Sequence, residues 1–354
     1  MLKPRRNLRQ LTLVTPVLHS SFPDATQDPL FPHSSAVLSS KSLESMSAPF
    51  DLRLFLDSLT KGQPLGKDEA HEVCGAIADG RADPVQVAAL LALIQSIKPS
   101  AGTVSGFASA MRDRCNGVTI DGEVVDIVGT GGDGHNTVNI STSAAVVAAS
   151  CGATVAKHGN ASVSSRSGSA DVLKSLGIRM LPPGDIASCV ASCGMAFMFA
   201  PLFHPAMRHV VPVRKALKIR TIFNILGPLL NPAGARRLML GVYHPDLLPI
   251  YGEALRTLGV EHAIVVHCGG LDELAPIGIA HAVEVRRGEA VKTLEIDTLA
   301  LGLQECSIDD LRGGEPEENA AIIRRVLAGG AKGREVHIAE TIALNAGAAL
   351  YVSG

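Results

Sequence analysis

A glycine-rich run is the feature of this sequence best suited to binding chemistry. Gly129, Gly131, Gly132 and Gly134 provide four glycines in six residues, directly after an apolar run that predicts a buried strand over residues 124–128. Glycines let successive backbone N–H groups turn toward one point, where they can bind a phosphate or pyrophosphate. We therefore predict an anion site here, and a flexible turn without a ligand is the alternative.

The same glycines match the G-x-G-x-x-G pattern of dinucleotide-binding folds. In those folds the helix opens inside the motif and an acidic residue follows about 20 positions later. Here residues 136–139 precede the predicted helix, and no Asp or Glu occurs between Asp133 and Asp171. The sequence therefore argues against a dinucleotide site.

Hydroxyl groups and a lysine follow the glycine loop. Ser141 and Thr142 begin a helix predicted over residues 141–150. Alone they would be ordinary helix caps, but beside the loop their hydroxyls face the same anion, and Ser141 can also ligate a hard metal ion. Lys157 follows a strand predicted over 154–156, so its positive charge is expected in the crevice where α/β proteins bind ligands.

An acidic pair follows another predicted strand. Asp272 and Glu273 come after the strand at 263–267 and two glycines, so both carboxylates emerge on a loop at the carboxyl end of that strand. Most acidic pairs in loops are inert, but magnesium binds proteins through one or two carboxylates together with substrate phosphates. Beside a polyphosphate site, this pair predicts a magnesium site.

The periodicity of the chain predicts how these groups are positioned. Residues 50–118 form a small helical domain, on which residues 201–220 are expected to pack. Residues 119–200 and 221–354 alternate strands with helices and form a large α/β domain with a mainly parallel central sheet and helices around it. A hairpin is expected over 283–286 and 290–293, and a helix over 315–327.

Composition excludes several classes of protein. The 354 residues include 32 Lys and Arg against 34 Asp and Glu, a net charge of −2, which leaves no basic surface for nucleic acid or an anionic membrane. Seven cysteines without a C-x-x-C pair indicate a reducing cytoplasm and no structural zinc. The uncharged run 186–203 contains Gly194 and Pro201, so it predicts a buried helix, a turn and a buried strand rather than a membrane span.

The first 49 residues lack apolar periodicity and are rich in Ser and Pro, which predicts a disordered extension. Two interpretations stay open: an organellar transit peptide, and an upstream start for which Met46 is the working initiator. The acidic residues Asp24, Asp28 and Glu44 favour the second.

Short runs across residues 50–354 resemble, in order and spacing, the anthranilate phosphoribosyltransferase family. These are the tryptophan-pathway members of the fold shared with pyrimidine nucleoside phosphorylases. Each run alone is a weak signal, but together they are specific. The runs are GTGGD, NIST, KHGN, GSADVL, HPAM, PVR, IFNILGPLLNPAG and GLDE.

The resemblance implies a cytoplasmic homodimer that joins phosphoribosyl pyrophosphate to anthranilate. It implies two magnesium ions held by Ser141, Asp272 and Glu273, and catalytic roles for Lys157 and Arg214. The residues implied for phosphoribosyl pyrophosphate are Gly129, Gly132, Asp133, Thr137, Asn139, Ile140, Ser141, Thr142, Lys157, Ser165 and Ser169. Those implied for anthranilate are Gly129, His158, Asn160, His204, Arg214 and Pro228.

Two alternatives stay open. A pyrimidine nucleoside phosphorylase-like enzyme would share the fold, but Arg214 together with the KHGN run argues against it. A non-catalytic relative that binds nucleic acid would need a basic groove, which the charge balance does not provide.

The sequence departs from the family pattern at three places. Ala161 stands where Arg is common, and Lys218 stands where a helix-ending Gly is usual. The chain also stops soon after a helix predicted over residues 341–352, where relatives continue for a helix or two. We expect the last carbonyls of that helix to lack a cap and one apolar face to lack a covering helix, with a cost in stability and dimerisation.

Overall fold

Four helices precede the first strand in the computed structural model, which describes residues 49–162 and 165–354. The segment 1–48, with its expected disorder and the role of Met46, lies outside the described residues. Asp83 caps the third helix, because its carboxylate accepts the N–H groups of Val85 and Gln86. Helices α1 to α4 span Arg53–Thr60, Lys67–Ala78, Pro84–Ile97 and Ala101–Arg112.

Strands and helices then alternate through the rest of the chain. The first group comprises β1 Val125–Gly129, α5 Ile140–Ser150, β2 Val155–Gly159, α6 Ser169–Ser175, α7 Ile186–Cys193, β3 Met195–Phe199, α8 Ala200–Phe203 and α9 Met207–Leu217. The second comprises β4 Arg237–Gly241, α10 Leu247–Thr257, β5 His262–Cys268, β6 Ile279–Arg286, β7 Lys292–Asp297, α11 Pro316–Leu327 and α12 Glu335–Ser353.

The seven strands of the described residues belong to one sheet, in the order β3-β2-β1-β4-β5-β6-β7. The first five strands in this order pair in parallel, and β6 and β7 add an antiparallel hairpin at one edge. The chain proceeds from β1 outward in one direction and from β4 outward in the other, so the topological switch lies between β1 and β4. Ligands of open α/β sheets bind at the carboxyl ends of the strands at such a point.

Helices cover both faces of the sheet. Helices α5, α6, α11 and α12 bury their apolar side chains against one face. On the other face α7, α10 and the amino-terminal helices share a core with the sheet. Helix α9 packs against α2 and α3 of the amino-terminal group. The predicted fold class, a helical unit with a mainly parallel α/β domain, is confirmed.

Several element boundaries differ from the predictions. Strand β2 extends to Gly159, beyond the predicted strand at 154–156, and the second hairpin strand is β7 rather than residues 290–293. In both cases main-chain pairing with the neighbouring strand continues past the apolar run on which the prediction was based. The run 186–203 does contain a helix, a turn at Gly194 and a largely buried strand, as predicted. The helix itself is not buried as expected, because α7 buries only Ile186 and Val190 and exposes its other face. Within the described residues, no helix has both the length and the apolar character needed to cross a membrane.

The end of helix α12 differs from the expectation of uncapped carbonyls. The Arg237 guanidinium donates a hydrogen bond to the carbonyl oxygen of Val352 at 2.8 Å and also pairs with Glu123 at 2.5 Å. A side chain from the start of β4 therefore satisfies one of the last carbonyls of α12, a contact that no local pattern near the helix reveals.

Lys218 follows α9 at the position where a helix-ending Gly is usual, and it adopts the left-handed conformation that favours glycine, with φ 52° and ψ 25°. A residue with a Cβ is strained there, so we expect Lys218→Gly to raise the free energy of unfolding by about 1 kcal/mol. Lys215→Gly, an exposed position inside the same helix, should lower it by about 1 kcal/mol. Urea melts measure both, and a less stable Lys218→Gly variant would contradict the strain.

Candidate functional site

The glycine loop follows β1 at the switch point of the sheet. Gly131, Gly132 and Gly134 have φ values of 66°, 80° and 85°, which disfavour any other residue. No atom lies within 4 Å of the position that a Cβ would take at Gly131 or Gly134. These glycines are therefore required by the backbone conformation of the loop and not by tight packing against neighbouring atoms. They leave the main chain accessible, as an anion-binding loop requires.

The acidic pair lies against this loop. Asp272 Oδ2 accepts the N–H of Gly131 at 2.6 Å, and Glu273 Oε1 accepts the N–H of Ser141 at 3.2 Å. Both side chains are buried, with 8% and 9% exposure, whereas the sequence suggested only that they emerge on a loop. The pair thus meets both the glycine loop and the first turn of α5.

Glycines at the ends of two strands let the acidic segment come this close. Gly129 and Gly241 are paired in the register of β1 and β4. A Cβ at Gly129 would overlap the Asp272 carboxylate, and one at Gly241 would overlap the Asp272 main chain. From the other side, the Asn345 amide on α12 accepts from Leu274 N at 3.0 Å and donates to Leu274 O at 2.7 Å. The segment is therefore held between the sheet and α12.

Burial and like charge perturb the two carboxyl groups. Burial raises the pKa of Asp272 to about 7, with the nearby charge of Asp133 adding to the effect. Burial and then the Asp272 charge raise the pKa of Glu273 to about 8, against an opposing contribution from Lys157. A cation at this position would relieve the cost of ionising both groups.

The donor set fits magnesium. Carboxylates and the Ser141 hydroxyl supply oxygen ligands, which hard cations prefer. In the described parts of the chain, no three acidic, His or Cys side chains form an all-protein metal site. Magnesium does not need such a site, because it usually keeps water and substrate phosphates among its ligands. Asp272, Glu273 and Ser141 can therefore hold an ion that binds together with a polyphosphate.

Lys157 lies inside β2 rather than beyond its end, and its side chain is only 1% exposed. Its Nζ donates to the carbonyl oxygen of Ile127 and to Ser141 Oγ, the latter at 3.4 Å. Burial lowers the pKa of Lys157, while the charges of Asp126 and the acidic pair oppose that shift. The sequence predicted the correct edge of the sheet, but it did not predict the burial.

Among the hydroxyl groups, Thr142 Oγ1 donates to Ser169 Oγ at 2.9 Å, so α5 and α6 begin side by side. Ser165 is exposed in the segment before α6. Thr142 and Ser169 therefore lie where the first turns of α5 and α6 meet.

Three further predicted donor residues have structural contacts. The Asn139 amide donates to Ser167 O at 3.1 Å and accepts from Asn319 at 3.0 Å. The Ile140 side chain is buried in the core, so only its main chain is available to a ligand. Thr137 pairs through its main chain with Arg312.

Two histidines predicted for the acceptor meet beside β2. The rings of His158 and His204 lie 5.1 Å apart between centroids, and His158 Nδ1 lies 3.2 Å from the carbonyl oxygen of Gly227, next to the buried Pro228. Burial lowers the pKa of His158 to about 3 and that of His204 to about 4. Both rings are therefore neutral at physiological pH.

The remaining predicted acceptor residues are Arg214 and Asn160. Arg214 lies on α9, where burial lowers its pKa, and no carboxylate of the described residues lies within 4.0 Å of it. Asn160 is exposed just after β2, and its Oδ1 accepts the N–H of Ala161 at 2.8 Å. A partly buried guanidinium without an acidic partner is suited to an anionic ligand.

Comparisons with known proteins agree with this geometry. Residues 53–115 match a glycosyl transferase family helical bundle domain, and residues 121–354 match a glycosyl transferase family a/b domain. The anthranilate phosphoribosyltransferase of Shewanella amazonensis is 44% identical over 308 residues, which cover 86% of this chain and 88% of that protein.

The chain belongs to the anthranilate phosphoribosyltransferase family.

Solved structures of the family have the same fold. The anthranilate phosphoribosyltransferase of Thermus thermophilus superposes with a TM-score of 0.79 at 43% identity, covering 84% of this chain and 89% of that one. The Saccharomyces cerevisiae enzyme in complex with PRPP and Mg gives a TM-score of 0.77 at 29% identity, covering 85% and 88%. The same yeast enzyme has also been solved in complex with 4-fluoroanthranilate.

The structure of this family member also shows contacts that the sequence did not suggest. Asp126, fully buried in β1, accepts from His158 N at 3.2 Å and from the Asn231 amide at 2.7 Å, and burial raises its pKa to about 6. Arg220 donates to the carbonyl oxygen of Gly132. A lone acid in the apolar run VVDIV was a visible signal for Asp126, but no local pattern marked Arg220.

The raised pKa values of the acidic pair predict a pH effect on stability. Between their unfolded values near 4 and folded values of about 7 and 8, the folded state keeps protons that the unfolded state releases. Without divalent cations, stability should therefore fall as pH rises through this window and level off above it. The double variant Asp272→Asn, Glu273→Gln should lose this slope, which is about 1.4 kcal/mol per pH unit for each carboxyl group that stays protonated only in the folded state.

Urea melts at pH 5 to 9 in chelator measure this effect. A matched control replaces the exposed acids of the helical unit, Asp57→Asn with Glu72→Gln, and should follow the wild-type curve. Parallel curves for the wild type and the Asp272, Glu273 variant would show that burial does not perturb the pair.

Proposed function

We propose that this chain transfers the 5-phosphoribosyl group of phosphoribosyl pyrophosphate to the amine of anthranilate, which gives N-(5-phosphoribosyl)anthranilate and pyrophosphate in tryptophan biosynthesis. One observation carries the proposal: the glycine loop, a buried lysine and the acidic pair meet at the switch point of the sheet. The yeast family members solved with PRPP and Mg and with 4-fluoroanthranilate support this choice of substrates.

Phosphoribosyl pyrophosphate would lie along the glycine loop and the first turns of α5 and α6. Gly129 would lie at the base of this loop, and the main chain at Gly132 and Asp133 would donate N–H groups to the phosphates, because the N–H groups of Thr130 and Gly131 are bound to Gly241 and Asp272. Lys157 would supply a fixed positive charge. The other residues proposed for this substrate are Thr137, Asn139, Ile140, Ser141, Thr142, Ser165 and Ser169.

Asp272, Glu273 and Ser141 would hold magnesium, for which we propose two ions. When bound, the ions would neutralise negative charge on the pyrophosphate leaving group. The proposal rests on two buried carboxylates whose raised pKa values indicate that they lack sufficient countercharge.

Anthranilate would lie beside Gly129, His158, His204 and Pro228, with its carboxylate on Arg214. Since both histidines are neutral, Arg214 is the positive group available to this carboxylate in the proposed acceptor site. Asn160 would help to orient the aromatic amine at the end of β2.

The proposed mechanism follows from the charges that develop as the bond to pyrophosphate breaks. When the bond from ribose C1 to pyrophosphate breaks, the sugar becomes cationic and the leaving group carries high negative charge. Lys157 and the loop N–H groups are preorganised to stabilise that leaving group, while Arg214 holds the amine in line. No side chain is assigned as general base, because the buried histidines have depressed pKa values and suit positioning. The proton that the amine loses when its nitrogen bonds to C1 therefore passes to the departing pyrophosphate or to water.

We further propose that the enzyme is a cytoplasmic homodimer that binds no nucleic acid. Seven free cysteines suit a reducing compartment, and the net charge of −2 suits a protein without a phosphate-tracking surface. Light scattering of the purified chain measures the oligomeric state.

Loss of anthranilate fluorescence on addition of phosphoribosyl pyrophosphate tests the reaction, with the product identified by mass. We expect turnover that needs Mg²⁺ and stops in chelator. The double variant Asp272→Asn, Glu273→Gln should lose that turnover while it keeps the wild-type circular dichroism spectrum. Near-wild-type activity in this variant would refute the metal assignment, and no product from the wild type would refute the proposed function.

Arg214→Ala should separate the two substrates. Loss of a charge-assisted hydrogen bond to a carboxylate costs about 1.5–3 kcal/mol, so the KM for anthranilate should rise roughly 10- to 150-fold. The KM for phosphoribosyl pyrophosphate should change much less, and Lys215→Ala on the same helix should change neither. Equal increases in both KM values would place Arg214 outside the acceptor site.

A further inference from the structure

Arg220 connects the segment after α9 to the glycine loop. Lys218 is in the left-handed conformation two residues before it. Thr221, directly after it, is buried, and its N–H is bound by Asn224 Oδ1 at 2.9 Å. The main chain is therefore held in place directly after Arg220, and this fixes the position of the Arg220 Cα.

The guanidinium of Arg220 has two partners. Its Nη2 donates to the carbonyl oxygen of Gly132 at 2.5 Å, and its central carbon lies 4.4 Å from the centroid of the Tyr243 ring. No carboxylate in the described segments lies within 4.0 Å of it. Its positive charge therefore stands beside the glycine loop without being neutralised by an acid.

Tyr243 is itself attached to the loop. Its N–H donates to Thr130 Oγ1 at 3.1 Å, and the N–H of Thr130 donates to Gly241 O at 3.0 Å. The aromatic ring that contacts Arg220 therefore belongs to the segment just after β4, and this segment and the end of β4 are hydrogen-bonded to Thr130 of the glycine loop.

The bond to Gly132 sets the direction of one peptide group. A trans peptide is planar, so turning the Gly132 carbonyl toward Arg220 turns the N–H of Asp133 to the opposite side. Gly132 itself offers little resistance to rotation, because glycine occupies both signs of φ with similar ease. Without Arg220, the loop would lose this restraint.

We infer that Arg220 is a positioning residue that orients the glycine loop for the pyrophosphate end of the donor substrate, with Tyr243 holding its guanidinium in place. The inference rests on the proposed function, since it takes the pyrophosphate group to bind at this loop. Arg220 acts through the loop, and its role is distinct from those of Lys157 and Arg214.

Steady-state kinetics of Arg220→Ala and Arg220→Lys test the inference. Arg220→Ala should raise the KM for phosphoribosyl pyrophosphate about tenfold or more, with the KM for anthranilate changed less than about threefold. Arg220→Lys keeps a cationic donor and should fall between Arg220→Ala and wild type. Titration calorimetry with inorganic pyrophosphate and Mg²⁺ should show the same order of affinities without turnover.

Two comparisons separate a specific role from a structural one. Arg236 also donates to a glycine carbonyl, Gly259 O at 3.1 Å, but it precedes β4 at the amino ends of the strands, so Arg236→Ala should leave both KM values unchanged. Tyr243→Phe keeps the aromatic ring and should resemble wild type, whereas Tyr243→Leu should raise the KM for phosphoribosyl pyrophosphate in the same direction as Arg220→Ala.

The inference is overturned if Arg220→Ala leaves the KM for phosphoribosyl pyrophosphate within about twofold of wild type, or raises both KM values equally. It is also overturned if Arg236→Ala produces the same change. These results differ from failure of the proposed function, in which the wild-type chain itself forms no phosphoribosylanthranilate.

Discussion

The close approach of the Asp272–Glu273 segment to the ends of β1 and β4 is the constraint on which the site depends. It buries two carboxylates side by side, so that burial raises both pKa values and the Asp272 charge raises that of Glu273 further, with Lys157 as the opposing cation. Gly129 and Gly241 make room for this segment, and Asn345 holds it from the opposite side. The sheet, the acidic pair and α12 are therefore parts of one arrangement.

This arrangement is costly for the protein without ligands. Buried like charges are unfavourable unless they are protonated or neutralised, and burial also opposes the charge of Lys157. A substrate that brings cations and phosphates would supply the missing charge partners. Under the proposed function, the electrostatic cost in the isolated chain would favour binding of metal and polyphosphate, which is the kind of preorganisation that electrostatic catalysis uses.

Sequence alone predicts much of the fold, because strands with short apolar runs and helices with capped starts carry strong local signals. Asp83 with Pro84 marks α3, and the alternation after residue 119 predicts the parallel sheet. What sequence does not predict is set by distant contacts. Arg237 caps α12 across 115 residues of chain, and the burial of Lys157 depends on strands that pair on both sides of β2. Such features follow from tertiary packing rather than from local periodicity.

The segment from Arg214 to Arg220 carries two arginines with different proposed roles in the site. Arg214, on α9, is the residue proposed for the acceptor carboxylate, and Arg220, just beyond the end of that helix, donates to the Gly132 carbonyl of the glycine loop. His158 and His204, the two histidines proposed to border anthranilate, are neutral. They can therefore contact its aromatic ring without competing with Arg214 for its carboxylate. Under the proposed function, Arg214 would bind one anion directly, whereas Arg220 would act on the other through the Gly132 carbonyl of the glycine loop, so one short stretch of chain would contribute to both substrate sites.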